Sequence, residues 1–156
     1  MPADTLSRHS DSHNWMLHPE LFHMLDVMWG PHTVDRFATF LNAQLLRFNT
    51  RYWEPLSDGV DALAQDWSQD NNFVNPPWAL LPKVIDKVIR DKAVATVIAP
   101  QWPSQPWYHK MTALLIREPL YLPQHPRTFC YMGVKPEPRK NPGWRVAAWR
   151  ISGQSA

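Results

Sequence analysis

Asn75-Pro76-Pro77-Trp78 is the segment whose residue types and order are suited to chemistry. An exocyclic amine on a heterocyclic base is a poor nucleophile, because its lone pair is delocalised into the ring. An Asn side-chain oxygen and a neighbouring backbone carbonyl can each accept one N–H of such an amine. Together they hold the nitrogen towards an electrophilic methyl group and favour its more tetrahedral, reactive form. Consecutive prolines stiffen the loop, so the Pro76 carbonyl points one way. The Trp78 indole can stack on a base turned out of its helix. The same four residues also make a rigid turn with an aromatic anchor, and taken alone they carry no more than that.

The flanking elements give the tetrapeptide a position. Asn72-Phe73-Val74-Asn75 reads as a strand that runs straight into the prolines. Over residues 80–90, Leu81, Val84, Ile85, Val88 and Ile89 form one helical stripe. The motif therefore lies between a strand and a helix, and in an α/β sheet ligands bind beyond the carboxyl ends of the strands. Residues 93–100 are almost continuously apolar, as in a strand buried on both faces. Residues 33–38 predict a short strand ending in small residues, and residues 40–48 a helix. Tyr52-Trp53 predicts a short strand or loop, and residues 60–67 a short amphipathic segment. Near the start, Pro19 suits the first helical position. Leu21, Phe22, Leu25 and Met28 follow at helical spacing, and Gly30-Pro31 ends the helix. Residues 107–116 predict another helix. Residues 128–132 and 144–151 predict strands that a polar, Pro-rich loop over 135–143 joins as a terminal hairpin.

Strands alternating with helices predict an α/β fold with a parallel sheet, and the closing antiparallel hairpin makes the sheet mixed. No internal repeat or second domain is visible. Residues 1–14 read as a polar tail or linker, residues 15–151 as one domain, and residues 152–156 as a tail.

Composition bounds the function classes. Hydrophobic residues make up 44% of 156, enough for a core, so disorder along the whole chain is excluded. Sixteen prolines break long helices and demand ordered loops. A net charge of +2 permits nucleic-acid contact without arguing for it. The lone Cys130 excludes an internal disulfide and a Cys-based zinc site, which points to a reducing, intracellular compartment, nucleus or cytoplasm. No apolar run is long enough to span a membrane, and no secretory h-region opens the chain.

Several spaced motifs then agree in order: Val34-Asp35-Arg36-Phe37-Ala38-Thr39, Asn42, Phe48, Tyr52, Asp61-Ala62-Leu63, Asp66-Trp67, Phe73-Val74-Asn75-Pro76-Pro77-Trp78 and Ile98-Ala99-Pro100. This series resembles the phage-type Dam family of DNA N6-adenine methyltransferases. It resembles more closely the Dam-like methyltransferase domain that follows reverse transcriptase and RNase H in DIRS-like retrotransposon polyproteins. Residues 3–8 resemble the end of the RNase H region, and Gln101-Trp102-Pro103-Ser104-Gln105-Pro106-Trp107 resembles the retroelement version. The resemblance covers roughly residues 15 to 115.

The resemblance implies a three-layer Rossmann-like methyltransferase fold and transfer of a methyl group from S-adenosylmethionine to adenine N6 in DNA. It implies nucleic acid as partner, and neighbouring reverse transcriptase and RNase H domains. Asn75, Pro76, Pro77 and Trp78 would form the catalytic motif. Asp35, Phe37 and Ala38 match the first-strand segment that lines S-adenosylmethionine, although Arg36, Thr39 and Phe40 stand where smaller residues often occur. Asp61 matches an acidic position that bonds ribose hydroxyls or the adenine amine; it can equally cap the helix that follows it. Two rival readings stay open. One is a catalytically silent module that binds nucleic acid or a polyprotein neighbour. The other is a methyltransferase for RNA or cytosine N4, which uses the same amine chemistry.

Other residues invite chemistry but have plainer explanations. His9, His13, His18 and His23 cluster without the spacing of a helical metal pair and read as surface residues; His32, His109 and His125 are isolated, so no metal site is expected. Trp53 is expected in the core, and Trp102 or Trp107 at the rim of the site. Met16, Met24 and Met28 are expected in the core. Arg139, Lys140, Arg145 and Arg150 can meet phosphate, but a solvated charged face is the default.

Overall fold

The computed structural model describes residues 15–131 and 145–154. The central sheet has five strands in the order β2-β5-β6-β9-β7. They are β2 (Val34–Asp35), β5 (Asn71–Val74), β6 (Val94–Pro100), β9 (Val146–Ser152) and β7 (Leu120–Tyr121). β2, β5 and β6 are mutually parallel and in register: Asp35 lies level with Phe73, and Phe73 with Thr96. β9 is antiparallel to both β6 and β7, which leaves four of the five strands pointing one way. The expected strands around Val34, Val74 and Val97 are thus adjacent and parallel. A second pair, β3 (Asn49–Thr50) with β4 (Gly59–Val60), is also parallel. A parallel bridge between Asp35 and Phe48 sets it beside β2, with the Asp35 N–H donating to the Arg47 carbonyl at 3.0 Å.

Three helices cover the sheet: α1 (Pro19–Trp29), α2 (Leu81–Asp91) and α3 (Pro106–Ala113). Each begins with a proline in its first turn, where a missing N–H costs nothing. α1 ends at Gly30, as its Gly-Pro pair predicts. Successive strand residues face opposite sides of the sheet, and the core divides accordingly. Phe73, Ile98 and Ala148 pack with Phe22 and Leu25 of α1. Val74, Val97, Ala147 and Trp149 pack with Leu81, Val84, Ile85 and Val88 of α2 and with Trp107 and Met111 of α3. Past β9, Gly153 passes so close to α2 that a Cβ there would lie 2.1 Å from the Val88 carbonyl oxygen.

Some sequence expectations are corrected. The terminal hairpin does not form. β8 (Phe129–Tyr131) pairs with β1 (Trp15–Leu17), while β9 inserts between β6 and β7. The expected loop over 135–143 lies outside the described residues, as do residues 1–14 with His9, His13 and the RNase H-like segment, and Arg139 and Lys140. Residues 40–48 are turns rather than a helix. Trp53 is exposed rather than in the core, and Met24 and Met28 are exposed on α1. No helix among the described residues is long and apolar enough to cross a membrane.

Candidate functional site

Because β2, β5 and β6 are parallel neighbours, their carboxyl ends open on one edge. Asn75 and Pro100 stand at that edge, whereas Asp35, the last residue of the short β2, lies level with Thr96 in the middle of β6. Pro76 and Pro77 are buried and lead into a short 3-10 turn, Trp78–Leu80, at the mouth of α2. Asn75 is half-buried, and its side-chain amide bonds to none of the described residues. Trp78 is also half-buried. Its ring meets that of Trp102 edge to face, centroids 5.4 Å apart at 85°. Trp102 follows the end of β6, so the tips of the two central strands are joined by an aromatic pair. Trp102 is half-buried against the core, whereas Trp107, also expected near the rim, is buried within it.

The β2 end is built differently from a bare ligand loop. Asp35 is buried, and its Oδ2 accepts the Gln44 N–H at 3.0 Å. Its Oδ1 is buried without a hydrogen-bond partner among the described residues. Burial pushes the Asp35 carboxyl up to about 7, against the opposing pull of the Gln44 and Phe37 amides. Phe37 packs edge to face on Trp67, centroids 6.4 Å apart, and Ala38 is buried with its N–H on the Asn49 carbonyl at 3.0 Å.

Arg36, which breaks the small-residue pattern, is a buried tie. Nε donates to Asn72 Oδ1 at 2.8 Å and Nη1 to Asn49 Oδ1 at 2.8 Å. Nη2 donates to the Asp66 carbonyl at 2.9 Å and to Asp70 Oδ2 at 3.2 Å. The guanidinium also lies over the Trp67 ring, 5.5 Å from its centroid. Its side chain is thus committed to the fold.

Asp61 sits directly after β4. Its Oδ1 accepts the Leu63 N–H at 3.2 Å and caps the 3-10 turn Ala62–Ala64, so the capping role is present. Its φ of 62° lies in a region that costs a non-glycine residue energy, and such strain tends to gather at functional positions. Asp61 is exposed, with one carboxylate oxygen left over from the cap.

Away from this edge, sequence reasoning missed a buried polar chain. His32 Nδ1 pairs with Asp26 Oδ1 at 2.8 Å, and His32 Nε2 with Thr96 Oγ1 at 2.7 Å. Arg150 donates to Thr96 Oγ1 at 3.1 Å and to Asn71 Oδ1 at 2.7 Å. His32 is therefore not isolated, and Arg150 does not form a solvated face. Desolvation lowers the His32 pKa. The chain resembles a catalytic triad in order only: Thr96 is wholly buried in mid-strand, closed to any solute. No local sequence signal links residues so far apart. Among the described residues, no three His, Cys, Asp or Glu side chains are grouped to hold a metal ion.

Compared with known proteins, the chain matches no family model and no curated relative.

Proposed function

We propose that this chain is an S-adenosylmethionine-dependent DNA adenine-N6 methyltransferase domain of the Dam-like, retrotransposon-associated type, built on a three-layer Rossmann-like fold. The observation that carries the reading is Asn75. It is a half-buried amide without a partner among the described residues, fixed by two buried prolines at the carboxyl end of a central parallel strand. Ligands of α/β sheets bind at that end. There the Asn75 carboxamide oxygen and the Pro76 carbonyl accept the two N–H groups of the target amine. Trp78, braced by Trp102, supplies the stacking face.

Not every residue that the resemblance assigns to the cofactor is within its reach: Asp35 Oδ1 has no partner among the described residues, but it is buried away from solvent. Asp61 has a carboxylate oxygen to spare for a hydroxyl or amine, and Phe37 and Ala38 add apolar wall. S-adenosylmethionine carries such donors and supplies the electrophilic methyl group.

One observation favours the silent-module reading. The Ala38 N–H and the Arg36 side chain, at the tip of β2, are already bound within the fold. Calorimetry with S-adenosylmethionine, followed by transfer of labelled methyl to single- and double-stranded DNA, tests both. Binding with transfer to adenine is the expected result. Binding without transfer to any nucleic acid points to the silent module, and no binding at millimolar cofactor removes the enzyme reading.

A further inference from the structure

The buried polar chain at His32 has no part in methyl transfer, and its hydrogen bonds can be counted. Thr96, wholly buried in mid-strand, has one hydroxyl proton to give. Arg150, level with it on β9, donates to Thr96 Oγ1 at 3.1 Å, and an arginine cannot accept. The Thr96 proton is therefore left for His32 Nε2 at 2.7 Å, which must present a lone pair. The ring proton then sits on Nδ1 and goes to Asp26 Oδ1 at 2.8 Å. Neighbouring groups close the circuit. Asp26 Oδ1 also accepts the His32 backbone N–H at 2.8 Å. Asn71 Oδ1 accepts from Arg150 at 2.7 Å, and Asn71 Nδ2 donates to the Trp29 and Pro31 carbonyls, both at 3.0 Å. Residues of α1, β5, β6 and β9 thus meet around one imidazole held neutral, with its proton on Nδ1.

A second proton on that ring breaks the count. Nε2 becomes a donor facing Thr96 Oγ1, which already accepts from Arg150. The Thr96 hydroxyl proton is then left without an acceptor among the described residues, and a buried donor without a partner is costly. The charged and titratable groups around the ring are Asp26 and His23 on α1, Arg150 on β9 and, beyond it, Arg117 after α3. The Phe22 and Phe73 rings, centroids 5.8 and 5.9 Å away, add apolar wall. Burial and the Arg150 charge oppose the imidazolium. Asp26 favours it, but from a position partly open to water, where its pull is screened. His32 accordingly titrates below its ordinary 6.5 while α1 is docked. A ring released to solvent regains that ordinary value, so docking is strongest above pH 6.5 and weakens as pH falls.

We propose that His32 is a proton-operated latch on α1: taking up one proton there undocks the helix from Phe73 and Ile98 while the five-stranded sheet stays paired. Hydrogen exchange of the whole chain, corrected for intrinsic rates, tests it. Protection of the α1 amides is expected to fall about tenfold per pH unit below 6.5, until the docked ring itself titrates; this is the signature of one proton taken up on opening. Asp26 stays ionised in that range, which lies well above its ordinary 3.8. Global unfolding differs, because it also exposes Asp35, which gives up a proton over the same range. Amides of β5 and β6 therefore show little slope. His32→Gln has no such proton to take up and removes the α1 slope. Arg150→Gln relieves the like charge, brings the His32 titration back towards 6.5 and flattens the slope, so the test stands if His32→Gln proves too unstable. Nitrogen NMR of the imidazole at neutral pH is expected to show the Nδ1–H tautomer. The proposal is overturned by an Nε2–H tautomer, by α1 protection no more pH-dependent than that of β6, or by an α1 slope that survives either substitution.

Discussion

On the proposed function, Asn75→Ala removes an acceptor whose bond to the target amine strengthens as the nitrogen becomes nucleophilic. Loss of one preorganised group of this kind costs about 3 kcal/mol, a factor of roughly 10² to 10³ in turnover. Asn75→Asp keeps an acceptor oxygen and is milder. Both variants retain cofactor affinity, and single-turnover transfer of labelled methyl checks the pair; equal rates in wild type and Asn75→Ala would remove Asn75 from the mechanism. Asp35 carries a different prediction. The resemblance placed it in the segment that lines the cofactor, as a ligand group. Its burial changes that. Its folded pKa, about 7, lies above its ordinary value of 3.8, so the folded chain keeps a proton that the unfolded chain has lost. Asp35 therefore contributes stability that is fully present below about pH 4 and is lost as pH rises through about 7. Asp35→Asn abolishes that slope. Relative to wild type, the variant gains stability between pH 4 and pH 8, measured by urea unfolding at both. A difference between the two proteins that does not change with pH refutes the buried, proton-holding carboxyl.

At the scale of elements, α2 ends in a left-handed Lys92, φ 53° and ψ 43°, whose N–H closes the last turn. A side chain pays for that conformation where glycine does not, so Lys92→Gly is expected to stabilise the protein by about 1 kcal/mol in thermal unfolding. A destabilised variant would mean that the Lys92 side chain contributes more than its backbone costs. α2, β5 and β6 were legible in the sequence because each shows its own period: a stripe every three to four residues, or an unbroken apolar run. The 40–48 segment has helix-compatible residues but forms turns, because long-range and capping bonds take its polar groups. Asn42 Oδ1 accepts the Thr39 N–H at 2.6 Å, the Gln44 N–H goes to Asp35, and Gln44 Nε2 donates to the Leu17 carbonyl at 2.7 Å. The strand character of β8 and β9 was equally visible, but their partners were not. A hairpin is the local solution, and here each strand finds its register with a segment distant in sequence. Asn75 was legible as a residue at the end of a central strand. The brace of Trp78 by Trp102 and the role of Arg36 were not, since each depends on which strands become neighbours.

Over the whole molecule, Arg36 ties β2, β3, β5 and the 66–70 loop through one guanidinium. Arg36→Met keeps much of the bulk and leaves the Asn72, Asn49 and Asp66 oxygens short of a donor. At about 1–3 kcal/mol for each buried acceptor left unpaired, the loss is at least about 3 kcal/mol, read from the urea midpoint at constant slope. A shift worth less than about 1 kcal/mol would show that water replaces the guanidinium freely. The place of β9 has a consequence of another kind. During synthesis, β6 and β7 leave the ribosome before the strand that joins them. Until Val146–Ser152 arrives, one side of β6 is an open edge beside Val97 and Ile98, and β7 has no strand to hold it in the sheet. A nascent chain paused in that interval displays an unpaired apolar strand to its neighbours on the same polysome. The hazard of misassembly thus falls in a narrow window of translation, and the final strand closes it.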